Sequence, residues 1–116
     1  EADISKANFD ETGERSYSWK DAKRYLKEVG SYSPNDYGLY DMAGNVWEWC
    51  ADWYDENYYR NSPSQNLKGP SSGTLRVLRG SSWDGGAYDM RCAGRGRDDP
   101  AVRDYNIGFR CVQDVH

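Results

Sequence analysis

Residues 37–54, YGLYDMAGNVWEWCADWY, form the densest apolar run of the chain. Gly38, Gly44 and an irregular spacing of apolar residues argue against one regular helix here. Trp47, Trp49 and Trp53 lie inside the run, and each buried indole hides a large area while its N–H needs a partner. Around this stretch the chain has 116 residues, with 5 Trp and 10 Tyr but only 13 Leu, Ile and Val. So few aliphatics would indicate disorder, except that disordered chains are poor in aromatics and this one holds 15%. A small core of Trp47, Trp49, Trp53, Trp83 and Phe109 is expected, tied by many polar contacts. Arg91, Arg95, Arg103 and Arg110 read as its ties, because guanidinium forks bind carbonyls and carboxylates. With 12 Gly and 4 Pro, much of the chain is expected to be loop.

The length sets a prior of one domain or part of one. The chain opens abruptly at Glu1 with a polar, aperiodic stretch over 1–17, as a domain entered partway would. A net charge of −4 argues against a general nucleic-acid binder, whose footprint is basic. Mean hydropathy is −1.04, and no run is long and apolar enough for a membrane helix. No signal-peptide pattern opens the chain. The single histidine, His116, excludes Ser-His-Asp, Cys-His and zinc-His chemistry. Cys50, Cys92 and Cys111 are odd in number and lack a C-x-x-C pair. A Cys92–Cys111 disulfide and three buried thiols are both open readings.

A helix is expected over 18–29, because Ala22, Tyr25, Leu26 and Val29 share one face. Ser18 can cap it with Asp21 three residues on, and Gly30 can stop it. SYSPND (31–36) is a turn cluster. TLRVLR (74–79) and IGFRCV (107–112) read as strands, and residues 55–73 as a polar loop.

Asp98-Asp99 and Asp52, Asp55 and Glu56 are acid groups of the kind that usually stay solvated. Asp41, Asn45 and Glu48, helped by carbonyls near Gly44, are oxygen ligands at a spacing that could hold Ca²⁺. Equally, they could cap a kinked helix inside an aromatic core. Gly94-Arg95-Gly96-Arg97 is too short for an RNA-binding run and sits beside Asp98-Asp99, which repel phosphate. The sharpest signal lies in 84–106. Asp84, Gly85, Gly86, Tyr88, Asp89, Gly94, Gly96, Asp98, Asp99, Asp104, Tyr105 and Asn106 use only four residue types. All four can be written by changing the adenines of an Asn codon. Recognition loops favour such side chains, but so do ordinary Gly/Asp-rich turns.

YGLYDMAGNVWEWCADWY (37–54), LRVLRGSSW (75–83) and NIGFRC (106–111) together resemble the formylglycine-generating-enzyme, or sulfatase-modifying-factor, domain. The resemblance implies an α+β, C-type-lectin-like fold with short strands, few helices and much irregular loop. It makes residues 1–116 the C-terminal portion of one such domain, with the N-terminal part of that domain as its missing partner. The family's oxidase uses two reactive cysteines between its RGGSW-like and RCA-R motifs. Here that segment is Asp84-Gly85-Gly86-Ala87-Tyr88-Asp89, without a thiol. Cys92 and Cys111 match structural cysteines of the family. The expectation is therefore no enzyme and no catalytic cofactor, because a copper–thiolate oxidase needs its thiolates.

SWDGGAYDMRCAGRGRDDPAVRDYNIGFR (82–110) more closely resembles the variable proteins of diversity-generating retroelements, which share this domain. In that group Asn codons are randomised at adenines, and the resulting residues face solvent as a ligand site. The resemblance implies that the variable segment spans 83–110 and that the positions named above bind a protein or glycan. It implies display outside the cell or on a virion, without insertion of this chain into a membrane. It also implies structural Ca²⁺ at Asp41 and Glu48 with the carbonyls of Gly44 and Val46. A second set would be Asn8 and Asp21 with the carbonyls of Phe9 and Lys23.

Overall fold

The computed structural model describes residues 5–58, 69–90 and 94–113. Within them the chain is sheet-rich with one helix. Helix α1 (Trp19–Tyr25) is followed by strands β1 (Trp47–Trp53), β2 (Arg76–Arg79), β3 (Arg95–Asp98) and β4 (Ile107–Gly108). The sheet order is β3-β2-β1-β4. β1 pairs antiparallel with β2, which pairs antiparallel with β3, while β4 runs parallel to β1. A bulge between Trp49 and Trp53 bends β1. A 3-10 turn, Ala87–Met90, precedes β3.

The helix begins as its capping residues dictate. Ser18 Oγ accepts from the Asp21 N–H at 3.2 Å, and Asp21 Oδ2 accepts from Ser16 N at 2.7 Å and Ser16 Oγ at 3.0 Å. Those bonds hold the Asp21 carboxyl below its ordinary value of 3.8. Lys23 and Arg24 stand in the last turn, favourable to the helix dipole. The helix stops before the expected Val29, which is 88% exposed. Side chains from elsewhere claim its next backbone groups. Asn8 Nδ2 donates to Tyr25 O at 2.7 Å, and the Asn45 amide both accepts from Lys27 N and donates to Lys27 O at 3.1 Å. These bonds satisfy the backbone as well as another helical turn would.

Residues 37–46 form turns rather than a kinked helix, and the strand begins at Trp47. Asp41, Gly44 and Asn45 have φ of 51°, 78° and 68°, in the left-handed region. Gly44 is required twice over: by its φ, and because a Cβ there would overlap the Asn8 carbonyl.

The core is smaller and more polar than the five expected aromatics. Trp83 is fully buried, beside Phe9, Ala22, Val77 and Leu78. Trp47, Trp49 and Trp53 are half-buried on the sheet. Phe109 is 76% exposed, which corrects its place in the expected core. β4 ends at Gly108, and Phe109 lies beyond the paired residues with its ring turned out to solvent. Residues 7–10, within the polar, aperiodic stretch, are buried and carry the hub's hydrogen bonds. Asn8 Nδ2 donates to Asn45 Oδ1 at 3.0 Å, and Asn45 N donates to Asn8 O at 2.9 Å. Trp83 N donates to Asn45 O at 2.8 Å, and Arg15 bonds both Asn8 Oδ1 and Trp83 O.

Cys111 is a free, exposed thiol, so it is neither bridged nor buried. Cys92 and Arg91 lie outside the described residues. Cys50 is free and half-buried, and burial pushes its thiol pKa up.

Candidate functional site

The residues read as diversified occupy two places. The first begins at Asp84 and Gly86, both half-buried, directly after buried Trp83. It includes Asp104, Tyr105 and Asn106, which lead into β4. The two stretches meet: Asn106 Nδ2 donates to Asp84 Oδ1 at 3.4 Å, and Trp83 Nε1 donates to Tyr105 O at 3.0 Å. The second place is the opposite edge strand, β3, with half-buried Gly94 just before it, half-buried Gly96 and Asp98 on it, and exposed Asp99 beyond. Asp98 Oδ1 accepts from Asp99 N, and Asp99 Oδ1 accepts from Ala101 N, so both carboxylates also shape the turn leaving the strand.

Trp47 joins the two places. Its backbone N–H donates to Asn106 O at 2.7 Å on one side. On the other, a Cβ at position 96 would lie 3.4 Å from the indole ring, in ordinary contact. Half-buried Trp47 thus touches both groups, its backbone bonded to Asn106 and its indole beneath Gly96, which leaves the far end of the ring uncovered by side chain. Ring and guanidinium stacks hold the same sheet. Arg97 lies 4.7 Å and Arg95 5.6 Å from the Tyr54 centroid, and Arg76 lies 3.6 Å from that of Trp53. Of the four arginines expected as ties, Arg95 and Arg110 act so, and Arg103 is exposed. Arg15, Arg76 and Arg97 were not singled out by sequence reading.

Not every expected position is free to face a ligand. Tyr88 is 72% exposed, in the 3-10 turn. The side chain of Asp89 lies outside the described set. Gly85 is different: Asp10 N donates to its carbonyl at 2.9 Å, and its own N–H donates to Ser82 O at 3.1 Å. A side chain at 85 would overlap Ser81 Oγ, which is fully buried and has no hydrogen-bond partner. Position 85 thus faces inward. Among the other acids, Asp52, Asp55 and Glu56 are exposed, as expected of solvated carboxylates.

Tyr17 and Trp19 border the varied residues although sequence reading left them aside. The Tyr17 hydroxyl donates to the Asp104 carboxylate, which drives its acidity far down. Its ring stacks on Tyr105 at 4.8 Å between centroids. Both residues lie in or beside a polar stretch with no period, so only their aromatic character could have flagged them.

The expected Ca²⁺ ligands are engaged otherwise. Arg110 binds both Glu48 oxygens, and its NH2 donates to Asp41 O at 2.9 Å. The Asp41 carboxylate accepts from Gly30 N at 2.7 Å. The Arg110 guanidinium thus occupies the Glu48 carboxylate, which raises the Arg110 pKa further. In the second set, the Asn8 amide oxygen accepts from Arg15, the Asp21 carboxylate faces Ser16, and Phe9 is buried. Among the described residues no three His, Cys, Asp or Glu side chains stand close enough to share an ion.

Comparison with known proteins defines the class first. The sulfatase-modifying factor enzyme 1-like domain matches residues 1–115, and the chain belongs to that family. The chain is 46% identical over 90 residues to the formylglycine-generating enzyme of Streptomyces coelicolor, covering 75% of this chain and 29% of that protein. It is 48% identical over 90 residues to the serine/threonine-protein kinase pkn1 of Chlamydia pneumoniae, covering 76% of this chain and 14% of that one. Treponema denticola variable protein 1 is similar in structure, with a TM-score of 0.70 and 38% identity, over 91% of this chain and 35% of that one. PvdO of Pseudomonas aeruginosa gives 0.71 and 31%, over 93% and 39%. The chain thus spans well under half the length of these relatives.

Proposed function

We propose that this chain is the recognition portion of a diversified binding protein of the retroelement type, within a C-type-lectin-like domain, and that it catalyses nothing. The observation that carries this reading is Trp47, whose backbone bonds Asn106 and whose indole lies beneath Gly96. Two segments distant in sequence, both rich in Asp, Gly, Tyr and Asn, meet at this one residue. The likeness to Treponema denticola variable protein 1 supports it. So does the absence of cysteine from 84–89, the segment where the family's oxidases keep their reactive pair.

A rigid backbone suits this role, because ordering a side chain on binding costs about 0.5–1.5 kcal/mol each. The ligand is a foreign protein or glycan met outside the cell or virion, and neither nucleic acid nor membrane insertion is involved. The test is a display library with Asn-codon adenines randomised at 84, 86, 88, 98, 99, 104, 105 and 106. Most members are expected to stay folded and to yield binders against unrelated targets. Loss of folding in most members would overturn the reading. In the gene, Gly85, Gly86, Gly94 and Gly96 are expected to use GGC or GGT; GGA or GGG at several of them counts against adenine mutagenesis.

The likeness to formylglycine-generating enzymes favours one rival, a modifying oxidase. Incubation with copper and a sulfatase-type cysteine peptide decides it, because any turnover defeats the binding-only reading.

A further inference from the structure

A column of aromatic rings runs from the buried hub to the varied surface. Its inner ring is Tyr25, with the Arg15 guanidinium 4.0 Å and the Arg24 guanidinium 5.4 Å from the centroid. Tyr25 stacks on Trp83 at 6.4 Å and 15°. Trp83 meets Tyr105 at 6.5 Å, and Tyr105 meets Tyr17 at 4.8 Å and Trp19 at 6.0 Å. Cations close the inner end. The outer end is open, with Tyr17 53% and Trp19 61% exposed.

We propose that this outer end, formed by Tyr17, Trp19 and Tyr105 beside the Asp104 carboxylate, seats an arginine or lysine side chain of a protein partner. The proposal rests on the binding reading above and names the chemistry of the partner. Tyr17 and Trp19 lie outside the varied segment, so the face combines a fixed aromatic anchor with interchangeable neighbours.

Three observations carry it. The Tyr17 hydroxyl donates to Asp104, which enriches the ring that a cation would meet. The Lys23 ammonium already lies 5.9 Å from the Trp19 ring centroid, so this indole accepts a cation within the chain itself. Finally, five of the varied residues, Asp84, Asp89, Asp98, Asp99 and Asp104, are acidic and none is basic. Asp104 directly precedes Tyr105 in the chain, and Asn106, which directly follows it, bonds Asp84. A neutral sugar could lie on the rings but would leave the net negative charge of this face uncompensated, whereas a basic side chain compensates it.

The test titrates the intact chain with an acetylated Gly-Arg-Gly-Arg-Gly amide and with the same peptide carrying citrulline, the neutral isostere. NMR reads the Trp19 indole N–H and the Tyr17 ring. The arginine peptide is expected to move both and the citrulline peptide neither, with Asp104→Asn and Trp19→Ala each weakening binding by at least about threefold. Equal response to citrulline overturns the proposal, as does response to maltose in place of the peptide, or no response to any of the three. The two readings fail separately. If Asp104→Asn and Tyr105→Asn leave binding unchanged, the anchor as proposed fails, even where Trp19→Ala abolishes binding. If nothing binds the rings while the library still yields binders, the anchor fails and the diversified face stands.

Discussion

Two neighbouring regions of this molecule use polar side chains in opposite ways. In the hub, Asn8, Asn45 and Arg15 are spent on backbone groups of the Tyr25–Lys27 turn and of Trp83. On the rim, Asp98, Asp99 and Asp104 accept from backbone N–H groups one or two residues on, and Asp104 adds a distant partner, the Tyr17 hydroxyl. The hub therefore specifies one backbone, and the rim tolerates replacement. Exchange is safe where a side chain satisfies only local groups, and unsafe where it satisfies groups distant in sequence.

That contrast is open to breakage at its strongest point first. Trp83→Ala removes the fully buried indole and its bond to Tyr105, and is expected to cost about 3–5 kcal/mol, enough to unfold a chain this small. Circular dichroism melting reads it; a cooperative transition near the parent's would remove Trp83 from the hub. Asn45→Ala strands buried groups at Lys27 and Asn8 and is expected to lose about 1–3 kcal/mol.

Position 85 sharpens the boundary, because it counts as rim by sequence and as interior by structure. Gly85→Ala is expected to destabilise by about 1–3 kcal/mol through overlap with Ser81 Oγ. Ser81→Gly in the same chain is expected to restore most of the loss and to relieve the left-handed φ of 59°. Strictly additive effects in that double-mutant cycle would place Gly85 on the rim after all.

Arg110→Ala tests the tie at Glu48, with a modest expected loss of up to about 1 kcal/mol because the pair is partly exposed. A chelator is expected to leave the parent's melting temperature unchanged, since the guanidinium already supplies positive charge to Glu48; a clear drop would favour bound Ca²⁺. Smallest of all, Tyr88→Asn, Asp98→Asn and Asp99→Asn are each expected to shift stability by less than about 0.5 kcal/mol.

The helix cap gives a pH-dependent check. The Asp21 carboxyl titrates below 3.8 in the folded chain, so its contribution is present above that value and disappears as pH falls through the lower one. Asp21→Asn is therefore expected to fray the helix at pH 7 and to match the parent in strong acid. An unchanged difference between the two at low pH would assign the cap to Ser18 alone.

Much was legible in the sequence where the determinants are local. Ser18 and Asp21 set the helix start, and Arg76–Arg79 begins and ends close to where its apolar pattern does. GNVWEW, RGSSW and IGFR marked the family. The losses share one cause. Val29 falls outside the helix because the Asn8 and Asn45 side chains claim the Tyr25 and Lys27 backbone groups that local pattern assigns to a further turn. Residues 7–10 carry no period and still fill the hub, because Asn8 and Asp10 bond groups as far off as Asn45 and Gly85.

From the order of residues alone come the family, the helix cap, the missing thiols of 84–89 and the narrow choice of residues from 84 to 106. Each depends on identity or on neighbours a few positions apart. The meeting of Gly96 with Asn106 at Trp47, the Tyr17–Tyr105 stack, the inward Gly85 and the guanidinium at Glu48 exist only once the strands have paired. Those contacts join residues that are far apart in the chain, and only the sheet's order and register bring them within bonding distance.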